Sequence, residues 1–283
     1  MGRTINIRVL SERDFPFAIR LTDTMGWDLT EEDFKFAIDL EPGGCFIALV
    51  DGERVGIAMT IAFGEVGWIG NVIVESSYRN QGIGSRLVEH EVNYLRSRSV
   101  KTVGLYAYKH AVPLYKRLGF RSDSDFIVLE GEGTSKRRVG PTRRAEDGDL
   151  SSILALDSLC FGGSREKLLR RWFSGEANLC YVAYEDDRLS GFVFARKYPE
   201  MAEVGPLVCG PGSVGVADDL LYTILGRLGG LKVHICVAEK AEGVLSVLKE
   251  LGFAERFRVV RMFWGGGFAE KGYLLAAESL ERG

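Results

Sequence analysis

The sequence predicts an α/β protein built twice: two tandem domains, each a mixed, mainly antiparallel sheet flanked by helices. Three observations predict it. Short apolar runs with strand character alternate with amphipathic helical stretches. The pattern recurs at domain length. Arg8 and Asp14 return as Arg143 and Asp149, Cys45-Phe46 as Cys180-Tyr181, Ala48 as Ala183 and Gly56 as Gly191, all 135 residues on. Leu118-Gly119-Phe120 returns as Leu251-Gly252-Phe253, 133 residues on, and a repeat of this size means duplication. Between the copies, over residues 131–141, Gly, Ser, Thr and basic residues replace apolar ones. The reading is therefore a domain over 1–132 and a second over 141–283.

The first copy opens with a strand at Ile5–Val9, helices at Phe15–Thr24 and Glu31–Leu40, and strands at Cys45–Val50 and Arg54–Ala62. Thr30 with Asp33 three residues on is an N-terminal cap for the second helix. The apolar run Trp68–Val74 reads as a buried strand. Past a Gly-rich loop, Ile83, Leu87, Val88, Val92 and Leu95 fall on one helical face. A strand at Thr102–Ala107, a short helix around Tyr115 and a strand near Phe126–Glu130 complete this half. The second copy repeats the order: a strand near Arg143, helices Leu150–Leu159 and Arg165–Phe173, then strands Leu179–Tyr184 and Gly191–Arg196. Strands near Val204–Val208 and Val233–Val237 follow, each leading into a helix, and a strand near Phe257–Trp264 comes last.

Composition narrows the function classes. The chain has 283 residues, 46% hydrophobic and 27% charged, with a net charge of −3. These are the proportions of a globular protein without the basic field that nucleic acid or an anionic membrane would require. The basic run Ser135-Lys136-Arg137-Arg138 reads as a solvated linker. No apolar run approaches a membrane span, and the first residues lack the apolar core of a secretion signal. The expected location is cytoplasmic. Five dispersed Cys (45, 160, 180, 209, 236) without a Cys-x-x-Cys read as reduced core residues. His90, His110 and His234 show no ligand spacing, so no metal is expected.

The most informative feature is Arg79-Asn80-Gln81-Gly82-Ile83-Gly84, placed where a strand feeds a helix. Free N–H groups and the helix dipole favour an anion there. Gly82 and Gly84 let a phosphate approach the backbone, and Arg79 adds a cationic fork. A Walker A loop would need Lys-Ser or Lys-Thr after its last Gly, where Ser85-Arg86 stands. A dinucleotide fingerprint would need a third Gly where Leu87 stands. The pattern Arg-x-x-Gly-x-Gly resembles the pyrophosphate loop of the GNAT superfamily of acetyl-CoA-dependent N-acetyltransferases. Ala111 to Phe120, with Tyr115 four residues before Gly119-Phe120, resembles the next GNAT motif. Gly26-Trp27, Trp68-Ile69-Gly70, Phe161-Gly162, Arg165, Gly205-Pro206-Leu207-Val208 and Arg261-Met262 extend a likeness to tandem two-domain GNAT proteins over nearly the whole chain.

The resemblance implies acetyl transfer from acetyl-CoA to a small-molecule or peptide amine by direct attack, in a monomer or homodimer. It implies acetyl-CoA on Val72, Ile73, Val74, Arg79, Asn80, Gln81, Gly82, Ile83, Gly84 and Ser85. Tyr115 would face the thioester sulfur as proton donor, and Asn71 is expected beside it at the reacting centre. Many GNAT members carry a carboxylate on the strand before the loop, whereas Gly70 and Asn71 stand at the matching positions here. The general base is therefore open among Glu65, Asp28, Glu31, Glu32 and an ordered water, and each of these carboxylates also reads as a solvated surface charge. Trp27, Asp28, Glu31 and Arg165 are expected at the acceptor, with Arg165 and Arg261 equally suited to interface ion pairs. In the second copy the matching loop, Cys209 to Asp219, has no Arg and carries Asp218-Asp219, and Leu248 replaces Tyr115. It reads as a degenerate domain without a phosphate loop. The alternative from another class is an acyl-CoA-binding regulatory module without catalysis.

Overall fold

The structure, a computed structural model, describes residues 4–27, 29–134, 140–266 and 271–283. Asp28 and the basic residues 136–138 lie outside them. The first half runs β1 (Ile5–Val9), α1 (Phe15–Asp23), α2 (Glu31–Leu40), β2 (Cys45–Val50), β3 (Glu53–Phe63), β4 (Val66–Val74), α3 (Ile83–Ser97), β5 (Thr102–Tyr108), α4 (Val112–Arg117) and β6 (Arg121–Glu132). The second half repeats it as β7 (Thr142–Arg144), α5 (Leu150–Phe161), α6 (Glu166–Ser174), β8 (Leu179–Glu185), β9 (Arg188–Lys197), β10 (Met201–Cys209), α7 (Ala217–Leu225), β11 (Lys232–Ala238), α8 (Glu242–Glu250) and β12 (Ala254–Gly265). It then adds β13 (Tyr273–Ala276), which the sequence pattern did not suggest.

Local chemistry sets the element ends as expected. Thr30 and Asp33 form a reciprocal cap: the Thr30 N–H donates to the Asp33 carboxylate at 2.8 Å, and the Thr30 hydroxyl accepts from the Asp33 N–H at 3.4 Å. The duplicated Arg–Asp pair is real in both copies. Arg8 grips Asp14 with two bonds of 2.7 and 2.8 Å, and Arg143 grips Asp149 with two of 2.6 and 2.7 Å. Each bidentate pair ties the first strand of its half to the start of the first helix. Asp14 and Asp149 both titrate far below the ordinary carboxylate range, chiefly because these guanidinium bonds favour the charged form.

The two sheets are not separate. All thirteen strands among the described residues join in the order β1-β2-β3-β4-β5-β12-β6-β11-β13-β10-β9-β8-β7. The halves exchange their late strands. β5 of the first half pairs antiparallel with β12 of the second, from Thr102↔Gly265 to Tyr108↔Val259. β11 of the second half pairs antiparallel with β6 of the first, from Lys232↔Glu132 to Ala238↔Phe126. β6 and β12 pair with each other at the centre. Two parallel pairs interrupt this antiparallel order, β4–β5 and β10–β11.

Side chains seal the same junction. Trp68 on β4 is buried, with ring centroids 5.9 Å from Phe161, 5.1 Å from Tyr106 and 6.1 Å from Phe263. Phe36 on α2 stacks on Trp172 of α6 at 4.7 Å. All five Cys are buried and unbonded to one another. No described helix is long and apolar enough to cross a membrane.

One buried group breaks the pattern. The predicted apolar face of α3 is buried as expected, and Glu91 is buried within it at 0% exposure. Neither carboxylate oxygen has a hydrogen-bond partner among the described residues. Burial pushes its pKa well above the ordinary 4.5. The folded state therefore holds a proton that the unfolded chain releases near pH 4.5. The stability tied to that proton is complete below this value and is lost as pH rises toward the folded pKa. Glu91→Gln abolishes this loss. The gap between variant and wild-type unfolding free energy should widen by up to about 1.4 kcal/mol per pH unit above pH 5, read from urea melts at pH 6 and 8. A gap that does not change with pH refutes it.

The exchanged strands make a second prediction. Residues 1–140 alone leave β5 and β6 without β12 and β11. That fragment should show no cooperative unfolding by near-UV circular dichroism, and a cooperative transition should return when residues 141–283 are co-expressed. A cooperative, soluble 1–140 monomer would refute this.

Candidate active site

The site begins where β4 and β5 part. They pair in parallel only from Val66↔Thr102 to Ile69↔Leu105. Beyond that, β4 is bent by a bulge: Ile57 of β3 faces Ile73, but Met59 faces Gly70, so Asn71 and Val72 together oppose one residue. Asn71 sits at φ 52°, the left-handed region that Asn tolerates better than most residues. Its side-chain amide donates to the Met59 sulfur at 3.4 Å. The bulge turns the far half of β4, Val72 to Val74, away from β5 and opens a wedge in the sheet.

The phosphate-type loop caps the β4 side of that wedge. Gly82 is the N-cap of α3 at φ 81°, and a Cβ there would meet nothing within 4 Å. The loop therefore needs a residue without a Cβ and has open space above it. The first N–H groups of α3, from Ile83 to Ser85, have no partner within their own helix and carry the positive end of its dipole. Arg79 is exposed, and its Nε donates to the Val74 carbonyl at 3.0 Å, tying the loop to the strand end. Gln81 donates to the Ser77 carbonyl at 3.1 Å. A Cβ on Gly84 would lie 3.8 Å from Val74 and 3.9 Å from Leu114. The loop, the bulged strand and the helix bearing Tyr115 therefore meet at one point. Tyr115 is 8% exposed and packs edge-on against Phe120 at 5.7 Å. Burial first, and Glu91 second once it has ionised, push its phenol above the ordinary 10.

The opposite side of the wedge is formed by α2, the α1–α2 connection and a distant segment. Trp27 donates from Nε1 to the Tyr108 hydroxyl at the end of β5, at 3.3 Å. Asp33 and Asn71 line a small cleft with Leu29, Ala37, Met59 and Glu281. Glu31 is exposed and 3.9 Å from Lys35, and Glu32 is 2.9 Å from the same Lys. Glu65 lies at the β3–β4 turn, paired with Lys101. Three of the carboxylates weighed as a general base are thus solvated. Asp28 lies outside the described residues.

Arg165 is buried beneath this side. It donates to Asp157 at 2.6 and 3.1 Å, lies over the Phe161 ring at 4.3 Å and bonds the Gly283 carbonyl. Arg261 is also buried, held by Asp123 at 2.7 Å between the rings of Phe126 and Phe263. Both serve packing at the junction of the halves. Sequence reasoning missed Tyr108 and Glu281, because neither belongs to a local motif and only the folded chain brings them to Trp27 and Asn71.

The second half gives a contrast. β10 and β11 also pair in parallel, from Met201↔Lys232 to Val204↔Ile235, and β10 is also bulged. There the wedge is filled. β13 lies in it, pairing Leu207↔Ala276 and Cys209↔Tyr273 with β10 and Val237↔Ala276 with β11. Asp218 and Asp219 occupy the first turn of α7. A cavity of about 470 Å³ beside it is lined by Asp218, Lys240, Glu242 and Tyr273 among others. No cluster of His, Cys, Asp or Glu that could hold a metal occurs among the described residues.

Comparison with known proteins agrees with this geometry. Residues 7–120 match the model of the acetyltransferase (GNAT) family, and residues 153–272 match that of the acetyltransferase (GNAT) domain. The chain is 26% identical over 261 residues to the holothin acyltransferase of Pseudoalteromonas sp. (strain SANK 73390), covering 91% of this chain and 87% of that one. It is 24% identical over 232 residues to the uncharacterized N-acetyltransferase YitH of Bacillus subtilis (strain 168), covering 80% of each. Its fold resembles a GCN5-related N-acetyltransferase from Sphaerobacter thermophilus, with a TM-score of 0.69 and 19% identity over 94% of this chain and 98% of that one. It also resembles a tandem GNAT protein from the clavulanic acid biosynthesis pathway, with a TM-score of 0.64 and 14% identity over 94% and 100% of the two chains. Together the two family models span most of the sequence, one in each half, and the chain belongs to the GNAT acetyltransferase family as a tandem GNAT protein.

Proposed function

We propose that this acyltransferase moves an acetyl group from acetyl-CoA to a primary amine by direct attack in a ternary complex, and that only the first half is catalytic. The observation that carries the reading is the asymmetry between two copies of one wedge. In the first, the loop from Arg79 to Ser85 leaves open space over Gly82. In the second, a strand fills the wedge and two carboxylates stand at the helix start.

Acetyl-CoA supplies an activated acyl group, a thioester with a good leaving group. The residues of the first half do the rest. The α3 N-terminus, with Gly82 and Gly84, holds the pyrophosphate, and Arg79 adds charge. The bulged stretch Val72 to Val74 offers backbone N–H groups to the thioester carbonyl, where negative charge develops. Asn71 forces the bulge that exposes them. Trp27, Glu31 and the α1–α2 connection border the acceptor, and Arg165 supports that side through Gly283. The amine nitrogen forms its bond to the carbonyl carbon as the C–S bond breaks, and orientation supplies much of the rate. Tyr115 meets the leaving sulfur. Its phenol is held above the ordinary thiol pKa of about 8.5, so it stabilises the thiolate by hydrogen bonding and yields its proton late.

Calorimetry should find one acetyl-CoA per chain, and Gly82→Asp should abolish it by placing a carboxylate at the phosphate position. Two equivalent sites, or unchanged affinity in the variant, would refute the assignment. With a cognate amine, Tyr115→Phe should lower kcat roughly ten- to a thousand-fold with little change in acetyl-CoA affinity. Wild-type kcat in that variant would remove Tyr115 from the mechanism. Binding without turnover of any amine would leave an acyl-CoA-binding module in place of an enzyme.

A further inference from the structure

The acceptor cleft is completed by a segment about 200 residues away from the motifs that define it. After β13, residues 277–283 cross the junction and lie against β4. Trp68 donates from its indole N–H to the Leu280 carbonyl at 3.4 Å. A Cβ added to Gly70 would come within 2.6 Å of the Glu281 Cα and Cβ. The missing side chain at position 70 is thus the space in which Glu281 sits. Arg282 fixes the segment. It donates to Glu278 at 3.1 Å and to Glu281 at 2.8 Å, and it lies over the rings of Phe36 and Trp172 at 5.8 and 5.6 Å. Glu281 keeps 26% of its side chain exposed and lines the cleft with Asp33 and Asn71. Its charge also reaches Tyr108, where it helps burial raise the phenol.

We propose that Glu281 is the carboxylate that receives the acceptor's ammonium group, standing in space for the side chain that β4 lacks at Gly70. This rests on the acetyl-transfer reading above and names its acceptor class: a cationic alkylamine. The cleft is small, about 20 Å³, so it admits the tip of an amine and leaves the rest of the acceptor outside. An ammonium there shares the Glu281 carboxylate with Arg282, which also lines the cleft, while the Asp33 carboxylate is engaged by the Thr30 cap and Asn71 marks the bulge of β4. A charge-assisted bond to a partly dehydrated carboxylate favours a cationic acceptor over an aromatic amine that is neutral at pH 7.

The test is steady-state kinetics of the full chain with acetyl-CoA and a panel of spermidine, a lysine-containing peptide, glucosamine and a neutral arylamine, for wild type, Glu281→Gln and Glu281→Asp. Glu281→Gln should raise KM for the cationic acceptor at least fivefold. KM for acetyl-CoA, the melting temperature and KM for the arylamine should stay within twofold of wild type, and Glu281→Asp should recover part of the loss. A rise below fivefold overturns the inference while acetyl transfer stands. So does a variant with a lowered melting temperature and both KM values raised, since Glu281 would then be scaffolding. A wild-type protein that turns over no amine on the panel removes this inference together with the reading it rests on.

Discussion

Everything at the site depends on holding two parallel strands apart. Adjacent strands gain backbone hydrogen bonds by closing together, so a wedge between β4 and β5 persists only if each is held from its far side. β4 is held by β3, through a bulge that costs Asn71 a left-handed conformation. β5 is held by β12, which comes from the other half of the chain. The mirror arrangement holds β11 through β6. The exchanged pair at the centre is therefore the brace for both wedges, and each half depends on the other for it.

The duplicated halves separate what the fold needs from what the chemistry needs. The Arg8–Asp14 and Arg143–Asp149 pairs, the bulged fourth strand and the turn before each last long strand occur in both. The Arg-x-x-Gly-x-Gly loop, an unfilled wedge and the tyrosine belong to the first half. Packing requirements survive in both copies because the strands of both join in one sheet. In the second copy two carboxylates and a strand stand at the matching place.

How much of this was legible in the sequence follows from the range of each signal. The strands and helices of both halves, including the Thr30–Asp33 cap and the buried face of α3, are set by periodicity and neighbours three or four residues apart. Their ends fell within a few residues of expectation. The loop from Arg79 to Ser85 was legible because strand, glycines and helix are contiguous. The strand exchange was not, since β6 and β12 suit either partner by composition. β13 was hidden because Tyr273-Leu274-Leu275-Ala276 carries Leu and Ala, which favour helix, and gains its strand geometry only from the edges of β10 and β11. Glu281 could be found only through Gly70, whose absent side chain marks a close approach that sequence alone leaves without a partner.

The strand exchange also sets a schedule for synthesis. β5 is complete at Tyr108, but its partner β12 begins at Ala254. At a translation rate of about 5–20 residues per second, that leaves an interval of roughly 7 to 30 seconds in which β5 is an open edge carrying Val103, Leu105 and Ala107. An unpaired apolar edge is a template for pairing with other chains. The nascent protein is thus most exposed to misassembly, and most dependent on chaperones or dilution, while its second half is still on the ribosome.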